Sequence, residues 1–362
     1  MNIVKRNIIN QINISNGISL DKFIDICLFS KNGYYRKVTP IGKKGDFTTS
    51  PEISQLFGEI LGLYIYNFWQ KKINTKFNLI ELGPGKGTLI SDILRITQSF
   101  DKFHNLMNIH LIEINKKLIK LQKKNIQKIC FNLKKTVWHD SFKAISSEPS
   151  IIFANEFFDC FPTRQFIKIN YSWNEKKINF NKKEKKFFIY NTDVNDNSLI
   201  LKLENYATKY NYKEGQIIEM SPQREIYFDK ICKFIKKNSG ILIIFDYGYN
   251  SSIHHSTLQS VNNHNYTHIL DNPGQQDITS FVNFANFKET CIKNNMNYFK
   301  FFSQKDFLIK NGIVERKNKI IINSTNKQKK DIEQGLQRLI SNDQMGLLYK
   351  CLILSNSNIL NE

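Results

Sequence analysis

Residues 78–96 read NLIELGPGKGTLISDILRI: an apolar run, then Gly83, Gly85 and Gly87 around Pro84 and Lys86, then a helical pattern. The run predicts a buried strand. Glycines admit positive φ and let a ligand approach the backbone without side chains, at a helix N-terminus whose amides point outward. A nucleotide-like ligand is therefore expected at the turn, against the plainer alternative of a strand-to-helix turn that binds nothing.

Working outward, FNLIEL, NIHLIEI, KTVWHD and SIIFANEF read as four strands, with helices near 86–99 and 115–125 between them and ILIIFDYGY as a later strand. Such alternation predicts an α/β fold with right-handed crossovers and a mostly parallel twisted sheet flanked by helices. Ligands in that architecture lie beyond the carboxyl ends of the strands. Glu81, Glu113, Asp140, Asn155 and Glu156 fall at those ends.

Upstream, residues 1–31 read as helical, with Ser19 as an N-cap, followed by a glycine-punctuated loop over 32–47. Ser50 as N-cap, Pro51 and Glu52 then start a helix with one apolar face. Residues 163–216 leave the alternation and predict an antiparallel insertion. A further helix starts at Ser221 and Pro222, with Gly240 as its C-terminal stop. The domain reading is an N-terminal helical segment and cleft-bordering lid over 1–75, then a catalytic domain over 76–362 carrying the insertion.

Three ligand classes compete for the glycine turn. A P-loop needs Lys and Ser/Thr after its last glycine, an order absent here. A dinucleotide turn needs G-x-G-x-x-G, whereas Thr88 stands at the third glycine position. The pattern E-x-G-x-G-x-G, with an acid ending the second strand, resembles motif I of class I S-adenosylmethionine-dependent methyltransferases. Glu113 supplies that acid, where a carboxylate accepts both ribose hydroxyls. Glu81 would repel pyrophosphate but suits a sulfonium cofactor with a free ammonium group. Asp140 stands where such enzymes often meet the adenine amino group, or else is a turn aspartate.

The fourth strand ends in FANEFFDCFPTRQF. Nucleic-acid amino-methyltransferases resembling N-P-P-[YFW] at this place use the Asn and an aromatic to hold a flipped base. This chain keeps Asn155 but has Glu156 in place of the proline. A carboxylate is a poor neighbour for phosphate and a good one for a guanidinium. Glu156 and Asp159, three residues apart, are thus candidate catalytic acids with Asn155; the alternative is that they cap the next helix.

GYYRKVTPIGKKGDFTTSPEISQLFGEILG, LIELGPGKGTLISDIL, ANEFFDCFPTRQF, TLQSVNNH, NPGQQDIT and MGLLYK occur in the order found in the MidA family, which the chain resembles over nearly its whole length. The resemblance implies a class I methyltransferase fold, S-adenosylmethionine as donor with S-adenosylhomocysteine as product, and an arginine of a partner protein, such as a respiratory complex I subunit, as acceptor. It assigns Gly83, Gly85 and Glu113 to the cofactor and has Thr49, Ser50, Pro51 and Glu52 border the same cleft. Asp246, Tyr247, His264, Asp277 and Thr279 match family positions on the acceptor side. Asn283 replaces a family acid.

A formal charge of +20 on 362 residues raises a nucleic-acid partner, and with it an RNA methyltransferase as a rival reading. Blocks such as NEKKINFNKKEKK lack interleaved stacking aromatics, and joint over-use of Lys, Asn and Ile fits AT-rich codon drift. A second rival is a non-catalytic assembly factor that binds the cofactor. Cys27, Cys130, Cys160, Cys232, Cys291 and Cys351 form no C-x-x-C pair, so free thiols and no metal site are expected. No secretory signal or membrane-spanning run is evident, which leads to an expected bacterial cytoplasmic location, or the mitochondrial matrix for a eukaryotic source.

Overall fold

Phe77–Leu82, designated β1, is buried at every residue, as a central strand covered on both faces must be. In the computed structural model, which describes residues 2–37, 49–129, 135–142, 145–296 and 298–356, it sits in the middle of a sheet. Residue 38 onward of the glycine-punctuated loop and Cys130 lie outside the described residues.

The other strands are β2 (Met107–Ile112), β3 (Thr136–His139), β4 (Ser150–Asn155), β5 (Gly240–Tyr249), β6 (Tyr298–Ser303) and β7 (Tyr349–Ser355). Their order is β3-β2-β1-β4-β5-β7-β6. The first five pair in parallel; β7 runs antiparallel to both β5 and β6. Chain order reverses between β1 and β4, which makes the space beyond their carboxyl ends the topological switch point.

Contacts divide the chain into two compact units, Met1–Pro40 with Phe158–Tyr227 and Tyr249–Ala285, and Ile41–Phe157 with Phe228–Gly248 and Asn286–Glu362. The second contains the sheet. Its core joins Leu56, Phe57 and Ile60 of helix Gln55–Lys72 and Leu89 and Ile93 of helix Thr88–Ile96 to Leu79, Ile109 and Phe245 of the strands. The first unit packs helices Ile3–Ser15 and Leu20–Phe29, through Val4, Ile8, Phe23 and Ile24, onto Ile178 of an antiparallel sheet. That sheet contains Arg164–Ile169, Ser172–Asn181, Lys186–Asp193 and Ile217–Met220.

This division differs from the boundary expected at 75/76. Residues 1–40 group with the antiparallel strands because their apolar helix faces are buried there, while Ser50–Lys72 belongs with the parallel sheet. The expected helix from Ser50 is also two helices. Thr49 is the N-cap of Ser50–Ile53, and Ser54 turns extended, its hydroxyl accepting from the Leu56 amide to start Gln55–Lys72. Likewise Ser239, at φ +64°, ends helix Pro222–Asn238, whereas Gly240 opens β5. A Cβ on Gly240 would lie 1.9 Å from the Ser150 carbonyl oxygen, so the close approach of β4 accounts for this glycine. Helix Asn197–Lys209, inside the insertion, was hidden by its Lys/Asn-rich surroundings.

Candidate functional site

β1 delivers its last residues into the switch point, and the glycine turn follows directly. Gly83, Gly85 and Gly87 take φ of +63°, +55° and +78°, values that L side chains rarely adopt. A Cβ on Gly83 would sit 2.8 Å from the Phe157 ring, and one on Gly87 would sit 3.2 Å from the Gln122 backbone. The turn is closed by the Gly87 amide on the Pro84 carbonyl at 2.7 Å, and Gly87 caps helix Thr88–Ile96.

Two buried acids flank the turn. Glu81 is only 3% exposed, and its Oε2 has no hydrogen-bond partner. Burial pushes its carboxyl well above the usual range; neighbouring Glu113 adds to this and the Ile90 amide opposes it. Glu113, just beyond β2, accepts from the Asn115 amide at 2.8 Å and from Gln122 Nε2 at 3.1 Å. Burial raises it to about 7 against those hydrogen bonds.

Gln122, which the sequence reading did not single out, joins these parts. Fully buried on helix Lys116–Gln127, it donates to the Gly85 carbonyl at 2.7 Å as well as to Glu113, and its oxygen accepts from Trp138 Nε1 at 2.8 Å. Its signal was available: Leu118, Gln122 and Ile126 are the buried positions of that helix, so one amide interrupts an apolar stripe.

At the end of β4, Glu156 adopts φ +50°, a left-handed conformation uncommon for a residue other than glycine and found disproportionately at functional positions. Its amide is fixed on the Phe245 carbonyl at 2.8 Å. Oε1 accepts from the Ser50 amide at 3.3 Å and Asn155 Nδ2 at 3.1 Å, and Oε2 accepts from the Tyr349 hydroxyl at 3.1 Å. Asn155 Oδ1 is buried without a partner. Asp246, fully buried on β5, accepts from the amides of Phe157 at 3.2 Å and Tyr247 at 3.0 Å, so it holds the backbone following Glu156.

The turn Ser50–Ile53 touches both halves of this arrangement. Besides the Ser50 amide on Glu156, Glu52 accepts from Lys86 Nζ at 3.2 Å and from the Thr88 hydroxyl. Thr49 is buried. The site thus gathers Glu81, the three glycines, Glu113, Asn155, Glu156, Asp246 and Tyr247 with Thr49, Ser50 and Glu52 in one unit. Asp140 is exposed and contributes no described hydrogen bond.

Four expected residues, Asp159, His264, Asp277 and Thr279, belong to the other unit. Asp159 is buried there, its carbonyl accepting from the Ser280 amide and from Arg224. Asp277 accepts from the Tyr35 hydroxyl at 2.7 Å, and Thr279 from Gln259 at 3.3 Å. His264 is exposed, at φ +64° between strands Gln259–Asn262 and Asn265–Thr267. Asn283 donates to the Tyr206 hydroxyl at 2.7 Å.

The residues present fit an adenosyl amino-acid cofactor. A Cβ would clash at Gly83 and be crowded at Gly87, a raised acid stands just beyond β2, and two buried acceptor atoms, Glu81 Oε2 and Asn155 Oδ1, lack partners. No helix among the described residues is long and apolar enough to cross a membrane.

The model of a family described as "Putative S-adenosyl-L-methionine-dependent methyltransferase" matches residues 60–302. A Caenorhabditis elegans mitochondrial protein named as the protein arginine methyltransferase NDUFAF7 homolog is 26% identical over 383 residues, covering 98% of this chain and 86% of its own. Human mitochondrial NDUFAF7, also named a protein arginine methyltransferase, is 26% identical over 338 residues, with 87% and 74% covered. The chain superposes on a Burkholderia thailandensis crystal structure bound to S-adenosyl-homocysteine with a TM-score of 0.85 at 19% identity, over 97% of this chain and 91% of that one. A native crystal structure from the same organism gives 0.82 at 21%.

Proposed function

This chain belongs to the MidA-like family of S-adenosylmethionine-dependent methyltransferases, and from that premise we propose that it methylates an arginine of a partner protein. The observation that carries the acceptor class is Glu156, a residue with a left-handed backbone at the end of β4 whose carboxylate oxygens accept from Ser50, Asn155 and Tyr349. These donors orient the group, and an oriented carboxylate suits a planar guanidinium. The names of the relatives agree, since both are protein arginine methyltransferases. We take the acceptor to be a subunit of respiratory complex I, as the family resemblance implies, and the place of action to be the bacterial cytoplasm.

In this reading Glu81, the glycine turn and Glu113 hold the cofactor, and Asn155 Oδ1 accepts from it. When bound, S-adenosylmethionine supplies an electrophilic methyl group. Glu156 accepts hydrogen bonds from the acceptor guanidinium, presents one nitrogen to the methyl and draws electron density toward it. The methyl would pass to that nitrogen as its bond to the cofactor sulfur breaks, leaving S-adenosylhomocysteine, and the nitrogen's proton would leave to solvent. Asp246 keeps the backbone after Glu156 in place, and Tyr247 borders the acceptor. Asp159 is kept as the second catalytic acid, assisting Glu156, on its spacing of three residues, and His264 and Asp277 are assigned to acceptor binding by position in the family pattern alone.

The test is Glu156→Gln. Methylarginine formed from labelled cofactor in protein extract of a strain lacking the gene should fall by roughly 100-fold or more, the scale of a positioned acid or base. Affinity for S-adenosylhomocysteine should stay as in the wild type. Full-rate arginine methylation by the variant would remove Glu156 from the mechanism, and methyl transfer to RNA exceeding that to protein would replace the acceptor class.

A further inference from the structure

Terminal carboxylate torsions are broad, so a glutamate held through one oxygen turns about its last bond. Guanidinium recognition is planar and works best when the carboxylate plane is fixed. Glu156 is gripped on both oxygens, by the Ser50 amide and Asn155 Nδ2 on Oε1 and by the Tyr349 hydroxyl on Oε2. The first two donors come from the neighbouring turn and the adjacent residue. The third comes from β7, 193 positions along the chain.

Antiparallel pairing aims that hydroxyl. Tyr349 is the register partner of Tyr247, and the two rings meet edge to face with centroids 5.4 Å apart at 67°. Tyr247 is 7% exposed, so the contact seats the Tyr349 ring against a buried neighbour. The phenol adds no charge to the carboxylate it orients.

We propose that Tyr349 is a positioning residue that sets the plane of the Glu156 carboxylate for the acceptor guanidinium. This rests on the acceptor reading of Glu156 given above.

Tyr349→Phe keeps the ring contact and removes only the hydroxyl. Loss of one hydrogen bond to a charged group should slow methylarginine formation roughly 10-fold or more. Affinity for S-adenosylhomocysteine should be unchanged. The acid limb of the pH–rate profile should move to higher pH, because the donor that favours the ionised carboxylate is gone. In a Glu156→Gln background the same change should slow the residual rate no further.

A readout without turnover accompanies these. Thermal unfolding midpoints of the wild type, both single variants and the double variant should be non-additive. Wild-type rate and pH profile in Tyr349→Phe would overturn the proposal, as would additive midpoints with equal slowing in both backgrounds. Non-additive midpoints with no methylarginine from the wild type would uphold the contact and strike the arginine reading instead.

Discussion

Gln122 Nε2 is shared between the Gly85 carbonyl, at 2.7 Å, and the Glu113 carboxylate, at 3.1 Å. One buried amide therefore sets the spacing between the glycine turn and the acid assigned to the ribose.

Gln122→Leu tests that link. It removes both donations, at about 1–3 kcal/mol for the buried Gly85 carbonyl left without this donor, and takes the acceptor from half-buried Trp138 Nε1. Calorimetric titration should show S-adenosylhomocysteine binding weakened roughly 10-fold or more, with a lower unfolding midpoint. Unchanged affinity would mean that the turn keeps its shape without the link.

Gly83→Ala tests the turn itself. The new Cβ meets the Phe157 ring at 2.8 Å in a left-handed conformation that costs roughly 1–2 kcal/mol in a residue with a side chain. Phe157 is the residue after Glu156, so displacing its ring should lower both cofactor affinity and methyl transfer. An NADH titration should give no signal in wild type or variant.

The pH dependence follows from Glu113. Its folded value of about 7 stands above the ordinary 4.5, so the ligand-free protein holds this proton more tightly than the unfolded chain does. The stabilisation is fully present below about 4.5 and is lost as pH rises through about 7. Wild type should therefore gain on Glu113→Gln in unfolding midpoint as pH is lowered through that window, by a total of about 3 kcal/mol at roughly 1.4 kcal/mol per tenfold change in proton affinity. Cofactor binding runs the other way. If the ionised carboxylate accepts the ribose hydroxyls, affinity should weaken about tenfold for each pH step below about 7. A flat affinity between about pH 5.5 and pH 8 would exclude ionised Glu113 as the ribose acceptor.

The strand, turn and helix around Gly83 were legible because local pattern dictates them. An apolar run, three glycines and an amphipathic segment leave few alternatives, and β1 begins and ends where FNLIEL does. Glu156 was legible as an unusual residue type at a strand end. Tyr349 was not, since its contact depends on β7 entering antiparallel beside β5, a pairing that no local signal specifies. The break at Ser54 was missed for a different reason. It has neither Gly nor Pro, only a serine whose hydroxyl competes for the Leu56 amide inside an otherwise helical pattern. The grouping of residues 1–40 with distant strands is likewise a long-range packing outcome.

The family model matches residues 60–302. Ser50, Glu52 and Tyr349 all lie outside it, although they hold Glu156 and the glycine turn from opposite ends of the chain. A protein trimmed to that stretch would keep β1 to β5, lose the last residue of β6 and all of β7, and shed both clasps. The catalytic sheet and the clasps that hold its working parts are thus written in different parts of this polypeptide.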